Sequence, residues 1–374
     1  MKISRFGFHA VLLCVTLIAV FVFSGYDHSV EVQDRLLCHA LGIDYLDGEY
    51  EVSVQAFKPS GAGSDTPVDI TKSNIELVSG KGKTVSEALE ECENQRGKDI
   101  FLGHLQLIGL GRSVELSQPK QLFEFCLKDR TVYLGVKVCL SDTTAKELME
   151  VELSNDMLAT ENYIDVIEKN AEKSRTVCCR LIDLLNLQPQ RCVLLPVLSV
   201  KKPPEDKKEL TEPVLIISET AIIKDGKVLD DAIGAEDIGA FCLLCGGGEQ
   251  TDLVLDDGEK KFSVSVQKRS DKVSVGQGDG ILLYKARLTV VVHRLRDIDG
   301  SFDPEIVGQL VKERLKEQLE KQFSECVNKR KADIFDVWKL VRQRYPGTFL
   351  EYEGDLGELY ENAQAEFEIE CLVE

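Results

Sequence analysis

In GIDYLDGEYEVSVQAF, residues 42–57, the side chains of Tyr50, Val52, Val54 and Ala56 alternate with charged or polar neighbours. That period of two is the mark of a half-buried strand. Asp47-Gly48 stands just before it as a tight-turn dipeptide, so Gly42 to Phe57 is expected to fold back on itself as a β-hairpin.

Working outward, KPSGAGSDTP (58–67) is a loop by composition. Thr84-Val85-Ser86-Glu87 then forms a capping box, whose hydroxyl and carboxylate satisfy free backbone donors at a helix start. Val85, Ala88, Leu89 and Cys92 follow on one face of that helix. A strand at Asp99 to Gly109, a short helix at Pro119 to Lys128 and a strand at Val132 to Leu140 continue the alternation of strands and helices. Thr143 to Leu187 reads as mainly helical.

KKPPEDKKELTEP (201–213) is charged, holds three prolines and lacks apolar periodicity, so it is expected to be a linker between domains. Beyond it, Val214 to Ile223 and Lys227 to Asp230 flank the hairpin turn Asp225-Gly226. Further strands are expected at Lys261 to Lys268, Lys272 to Val275 and Gly280 to Arg294. Asp303-Pro304-Glu305 opens a long helix with a cap, a proline at its first position and an acid in its first turn. It should bury Val307, Val311, Leu315, Leu319, Phe323 and Cys326. A second helix over Ile334 to Arg344 stops before Pro346. A last strand then alternates Phe367, Ile369, Cys371 and Val373. This order gives an α+β, multi-domain protein with mixed or antiparallel sheets flanked by helices. The second half reads as antiparallel, and neither half shows the repeated parallel pattern of a nucleotide-binding fold. The expected division is a signal or anchor segment (1–26), an N-terminal α/β domain (27–200), the linker (201–213), a middle domain (214–257) and a C-terminal α+β domain (258–374).

The N-terminus looks like an export signal. Lys2 and Arg5 precede a run of 14 residues, Ala10 to Phe23, whose least apolar member is Thr16. Phe6 to Gly25 would be about 30 Å long as a helix, enough to cross a bilayer, so an uncleaved signal anchor is expected, with cleavage between Ser24 and Gly25 as the competing reading. With 64 acidic against 45 basic residues the formal charge is −19, a field that repels a phosphate backbone and argues against nucleic-acid binding.

Chemistry is thinly marked. The glycines of SVGQGDG (274–280) are followed by a strand, not by the helix N-terminus a phosphate cradle needs. Cys242-Leu243-Leu244-Cys245 has the spacing of a redox pair, but its apolar surroundings offer no activating cation. The 12 cysteines are scattered, and most read as small hydrophobic filler. The five histidines form no metal-spaced cluster, and His104, a conceivable base, reads as a hydrogen-bonded structural residue. No enzyme signature, metal site or cofactor site is expected.

The order of GIDYLDGEYEVSVQAFKPSG, GKTVSEALEECENQRGKDIFLGHLQLIGLGRSV and LFEFCLKDRTVYLGVKVCL resembles the N-terminal domain of the Ger(x)C family of spore germination proteins. Gly42-Ile43-Asp44, Gly103-His104-Leu105-Gln106 and Phe125 to Arg130 match recurring family positions. The C-terminal half, with Asp333-Ile334-Phe335, Arg342 and Tyr345-Pro346, is similar to the family's closing signature. The resemblance implies three α/β domains, with a division near Asp257. It also implies a non-enzymatic exported subunit of a nutrient germinant receptor. Its partners would be integral membrane A-type and B-type subunits, in the inner membrane of a bacterial endospore. Family members carry a lipid-accepting cysteine where Phe23-Ser24-Gly25-Tyr26 stands here. Tyr26 has no thiol, so attachment by the uncleaved helix is expected in its place. Two other readings follow from the residues: an extracytoplasmic small-solute-binding module, or a thiol oxidoreductase using Cys242 and Cys245.

Overall fold

A computed structural model describes residues 9, 13–18, 34–57, 75–151, 159–187, 191–201, 213–256, 258, 261–278, 281–293, 303–352 and 355–373. Its elements fall into two sheets.

The first sheet starts with the hairpin of β1 (Arg35–Leu46) and β2 (Glu49–Phe57). Its tip is the expected Asp47-Gly48 turn, where both residues have positive φ, 54° and 86°. Glycine and aspartate are the residues that tolerate that geometry. β3 (Ile75–Gly82) pairs antiparallel with β2 and leads into α1 (Val85–Arg96). Here Thr84 accepts from Glu87 N and the Glu87 carboxylate accepts from Lys83 N, closing the helix start as its sequence foretold.

Next come β4 (Asp99–Phe101) and β5 (Leu107–Leu110), two pieces of the strand expected over 99–109. A 3-10 turn at Leu102–His104 separates them. Two short helices follow, α2 (Pro119–Leu122) and α3 (Glu124–Lys128), and then β6 (Lys137–Ser141). The strand expected from Val132 begins only at Lys137. The Leu134 and Val136 carbonyls instead accept from Ile182 N and Leu181 N. α4 (Ala145–Met149), α5 (Ala159–Glu172), β7 (Cys179–Arg180) and α6 (Leu181–Leu185) lead to β8 (Cys192–Lys201). β9 (Val214–Lys224), β10 (Lys227–Val228) and β11 (Ile233–Gly234) complete the sheet.

The strand order is β10-β9-β8-β6-β5-β1-β2-β3. β1, β5, β6 and β8 run parallel to one another, so the first half does contain the parallel centre that its sequence pattern did not suggest. Its strands are short and joined by broken helices, which blurs the usual β/α rhythm. Helices cover both faces. On one, α1, α3 and α6 pack over Val52, Val54, Leu110 and Val138. On the other, α4 and α5 bring Leu148, Met149, Tyr163 and Ile167 onto Leu107, Cys139 and Leu198.

The second sheet comprises β12 (Gln250–Asp256), β13 (Lys261–Gly278), β14 (Ile281–Val292) and β15 (Gln364–Val373), in that order. It is preceded by the short α7 (Gly239–Phe241) and a π-type turn at Cys242–Gly246. The strands expected at 261–268 and 272–275 are one strand, bulged between Lys268 and Ser270. α8 (Pro304–Gln322) continues as a wider turn to Lys329 and is capped by Asp303 with Pro304 at its start. All six residues expected on its buried face are buried. α9 (Val337–Arg344), α10 (Pro346–Glu351) and α11 (Gly357–Glu361) follow. The last strand rejoins the sheet as expected, but parallel to β14. A parallel neighbour needs a long crossover, and α8 to α11 supply it.

The segment 201–213 does not separate two sheets. β8 and β9, at its two ends, pair antiparallel from Lys201↔Val214 to Cys192↔Lys224. A charged, proline-rich connection between two strands that pair with each other has the same composition as a linker between domains. Residues 214–257, expected as a middle domain, are shared. β9 to β11 extend the first sheet, while Phe241, Leu243, Leu253 and Leu255 join the core of the second. The two parts are tied by Lys224 Nζ to the Arg330 carbonyl at 3.0 Å, by Arg330 with Asp231 at 3.1 Å, and by Ile222 in the second core.

Among the described residues no helix is long and apolar enough to cross a membrane. Residues 13–18 are helical, while most of the expected anchor, including Tyr26, lies outside the described residues.

Candidate functional site

Two buried aspartates organise the positions singled out by sequence. Asp44, on β1, is 2% exposed. Its Oδ1 accepts from Ala145 N and its Oδ2 from Lys146 N, both at 2.9 Å. Thr144 Oγ1 takes the Glu147 amide at 3.0 Å, so the first turn of α4 has its free donors met by side chains. Burial raises the Asp44 carboxyl above the ordinary range, with the two amides pulling the other way. Gly42 explains how α4 comes so close: a Cβ there would lie 3.0 Å from the Ala145 carbonyl and from Met149 Cγ. Gly42 and Asp44 are thus the seat of a helix on a strand.

Asp333 repeats the device in the second part. It is 2% exposed, and accepts from Val337 N at 2.9 Å, Trp338 N at 2.7 Å and the Tyr360 hydroxyl at 3.0 Å. Burial pushes it up to about 6 against the pull of those three donors. Phe335, two residues on, is enclosed by Phe241, Tyr284, Phe323 and Phe367 at centroid distances of 5.3–6.1 Å. Arg342 stacks over the Phe349 ring at 5.7 Å, and Pro346 opens α10. Arg191, just before β8, covers the Trp338 ring at 5.0 Å and approaches Asp336 at 3.4 Å.

The remaining marked residues gather at the amino-terminal end of the parallel strands. A Cβ at Gly103 would meet the Phe101 ring at 2.4 Å. His104 stacks on His39 at 5.6 Å and meets Phe101 edge-on at the same distance. Burial, and then the neighbouring His104, hold His39 below its ordinary range. The Gln106 side chain is exposed, and it is the backbone that works there: its amide donates to the His39 carbonyl and its carbonyl accepts from Lys137 N. Arg130 is exposed in the segment that feeds β6 at this end. Gly42 and Asp44 sit towards the other end of β1, so the family-matching residues do not form one pocket.

Cys242 and Cys245 make no activated thiol pair. Cys242 Sγ lies 3.3 Å from the Thr176 carbonyl and Cys245 Sγ lies 3.7 Å from the Tyr284 hydroxyl. Burial raises the Cys242 thiol, and Cys245, exposed at the surface but with its sulfur against Tyr284, is pushed up to about 12, opposite to the shift a redox thiol needs. Among the described residues no group of three or more His, Cys, Asp or Glu is placed to hold a metal. Sequence reasoning missed the half-buried Cys178 beside Lys137 Nζ at 3.3 Å, and the exposure of Tyr133, which it had placed inside a strand.

Comparison with known proteins agrees with this layout. Residues 28–200 match the family model described as the spore germination protein N-terminal domain. That range spans the N-terminal segment through all but the last residue of β8. Residues 28–200, a little under half of the chain, therefore carry the N-terminal domain of a spore germination protein, in line with the Ger(x)C resemblance. A solved structure titled "Crystal Structure of the GerBC protein" is similar with a TM-score of 0.53 at 12% identity, over 89% of this chain and 96% of that one. At that identity the likeness shows the fold, and it runs through both sheets. No curated protein matches the sequence.

Proposed function

We propose that the chain is the exported, non-enzymatic C-type subunit of a spore germinant receptor. It assembles with the integral membrane A-type and B-type subunits and supports nutrient-triggered germination. The observation that carries this reading is the family match over residues 28–200. The character of the marked residues supports it: Gly42, Asp44, Asp333 and Phe335 are committed to seating helices and filling cores. In this reading Ala10 to Phe23 holds the protein at the inner spore membrane, since Tyr26 cannot take a lipid.

The test is deletion of the gene in the native organism, with germination followed by loss of optical density for a panel of amino acids, sugars and nucleosides. Loss of the response to at least one nutrient, restored by the gene in trans, is expected. An unchanged response to every nutrient tested, in a strain lacking other receptor copies, would overturn the reading.

A further inference from the structure

The chain enters β1 at Asp34, and β1, β5, β6 and β8 are parallel, so all four begin at the same end of the first sheet. Only ten residues, Ser24 to Gln33, separate the apolar run Ala10–Phe23 from Asp34, a reach of about 35 Å at full extension. If that run is held in a bilayer, this end of the sheet cannot lie far from the lipid surface.

The same end carries an unusual surface for this protein. Tyr133 is 74% exposed and Leu127 is 47% exposed, on the stretch that feeds β6. Lys128 and Arg130 stand between them, both exposed. Residues 119–137 hold four cations, Lys120, Lys128, Arg130 and Lys137, against the two carboxylates Glu124 and Asp129, in a chain whose net charge is −19. Lys128 is paired with Glu124 and Lys137 with Glu168, and Asp129 accepts from both the amide and the hydroxyl of Thr131. Arg130 forms no ion pair among the described residues. An exposed tyrosine and leucine interleaved with cations is the chemistry of a bilayer interface, where an aromatic ring sits at headgroup depth and cations meet lipid phosphates.

We propose that the amino-terminal end of the first sheet, presented by Leu127, Lys128, Arg130 and Tyr133, rests against the headgroup layer of an anionic bilayer. The inference builds on the membrane-held subunit described above and fixes which end of the molecule faces the lipid.

The test uses the full chain bound to vesicles of phosphatidylglycerol and phosphatidylethanolamine that contain lipid brominated near the headgroup. Tyr133→Trp reports on the proposed face, and Val254→Trp, at a position 65% exposed on β12, reports on a distant one. The signal of the parent, which has Trp338 alone, is subtracted from both. Flotation with the vesicles and severalfold stronger quenching at position 133 than at 254 is the expected result. Equal quenching at the two positions overturns the proposed face while leaving membrane attachment intact. Quenching absent at 133 in lipid, with shielding appearing only when the membrane subunits are added, also overturns it and assigns the face to protein. Failure of the chain to float at all contradicts the membrane-held reading itself, and the inference falls with it.

Discussion

The two sheets treat their second faces in opposite ways. In the second sheet, α8 covers one face and the other is open to solvent. There Lys285 pairs with Glu366 and Arg287 with Glu368 at 2.8 Å, in a ladder across β14 and β15. In the first sheet both faces are covered. The polar residues of β2 that alternate with Val52 and Val54 are buried too: Ser53 and Gln55 at 1%, Glu51 at 9%. Each has a partner. Gln55 donates to the Met149 carbonyl and accepts from Thr160, Ser53 meets Ser79, and Glu51 meets Lys146 at 2.7 Å. Alternation of polar and apolar residues therefore means a wet face in one sheet and a dry, hydrogen-bonded face in the other.

Several substitutions would sharpen or break that contrast. The largest effect is expected from Phe335→Ala, which empties the centre of the aromatic cluster and should cost about 3–5 kcal/mol by denaturant unfolding. Tolerance of this change would mean that the second core is far looser than its ring contacts imply.

Next is a pH effect at Asp333. Burial pushes its carboxyl up to about 6 in the folded protein, above the ordinary ~3.9 of an unfolded aspartate, so the folded state holds the proton more tightly. Its contribution is therefore fully present below pH ~4 and is lost as pH rises through ~6, by about 3 kcal/mol in all. Unfolding titrations should show this slope in the parent and lose it in Asp333→Asn. Asp44 is shifted in the same direction, so Asp44→Asn should flatten a second slope of the same sign.

Gln55→Ala should cost about 1–3 kcal/mol, because the Met149 carbonyl and the Thr160 hydroxyl lose their partner away from water. Glu368→Ala, on the open ladder, should leave the unfolding midpoint unchanged within error, since exposed pairs are screened and weak. Equal effects at the two sites would erase the distinction between the two faces.

This contrast also explains what could be read beforehand. The hairpin turn at Asp47-Gly48, the Thr84 cap, the Asp303-Pro304 helix start and the buried stripe from Val307 to Cys326 depend on local chemistry, and each is found where the sequence put it. The parallel centre of the first sheet was hidden because β5 and β6 are only four and five residues long, too short to show a period. The linker reading at 201–213 failed for a related reason. Nothing in the sequence shows that the strands on either side are partners. Among the marked positions, Asp44 and Asp333 were picked out by the family resemblance alone. Their work as caps for helices about 100 and 4 residues further on is visible only in three dimensions.

The proposed role is that of a membrane-held subunit of a spore receptor. Its most direct test is purification of the tagged chain from the inner membrane fraction of native spores, with mass analysis of its N-terminal peptide and of the proteins that accompany it. The account predicts recovery with two integral membrane subunits and with Phe6 to Tyr26 intact. Recovery from the soluble fraction, without those subunits and with an N-terminus near Gly25, would contradict it.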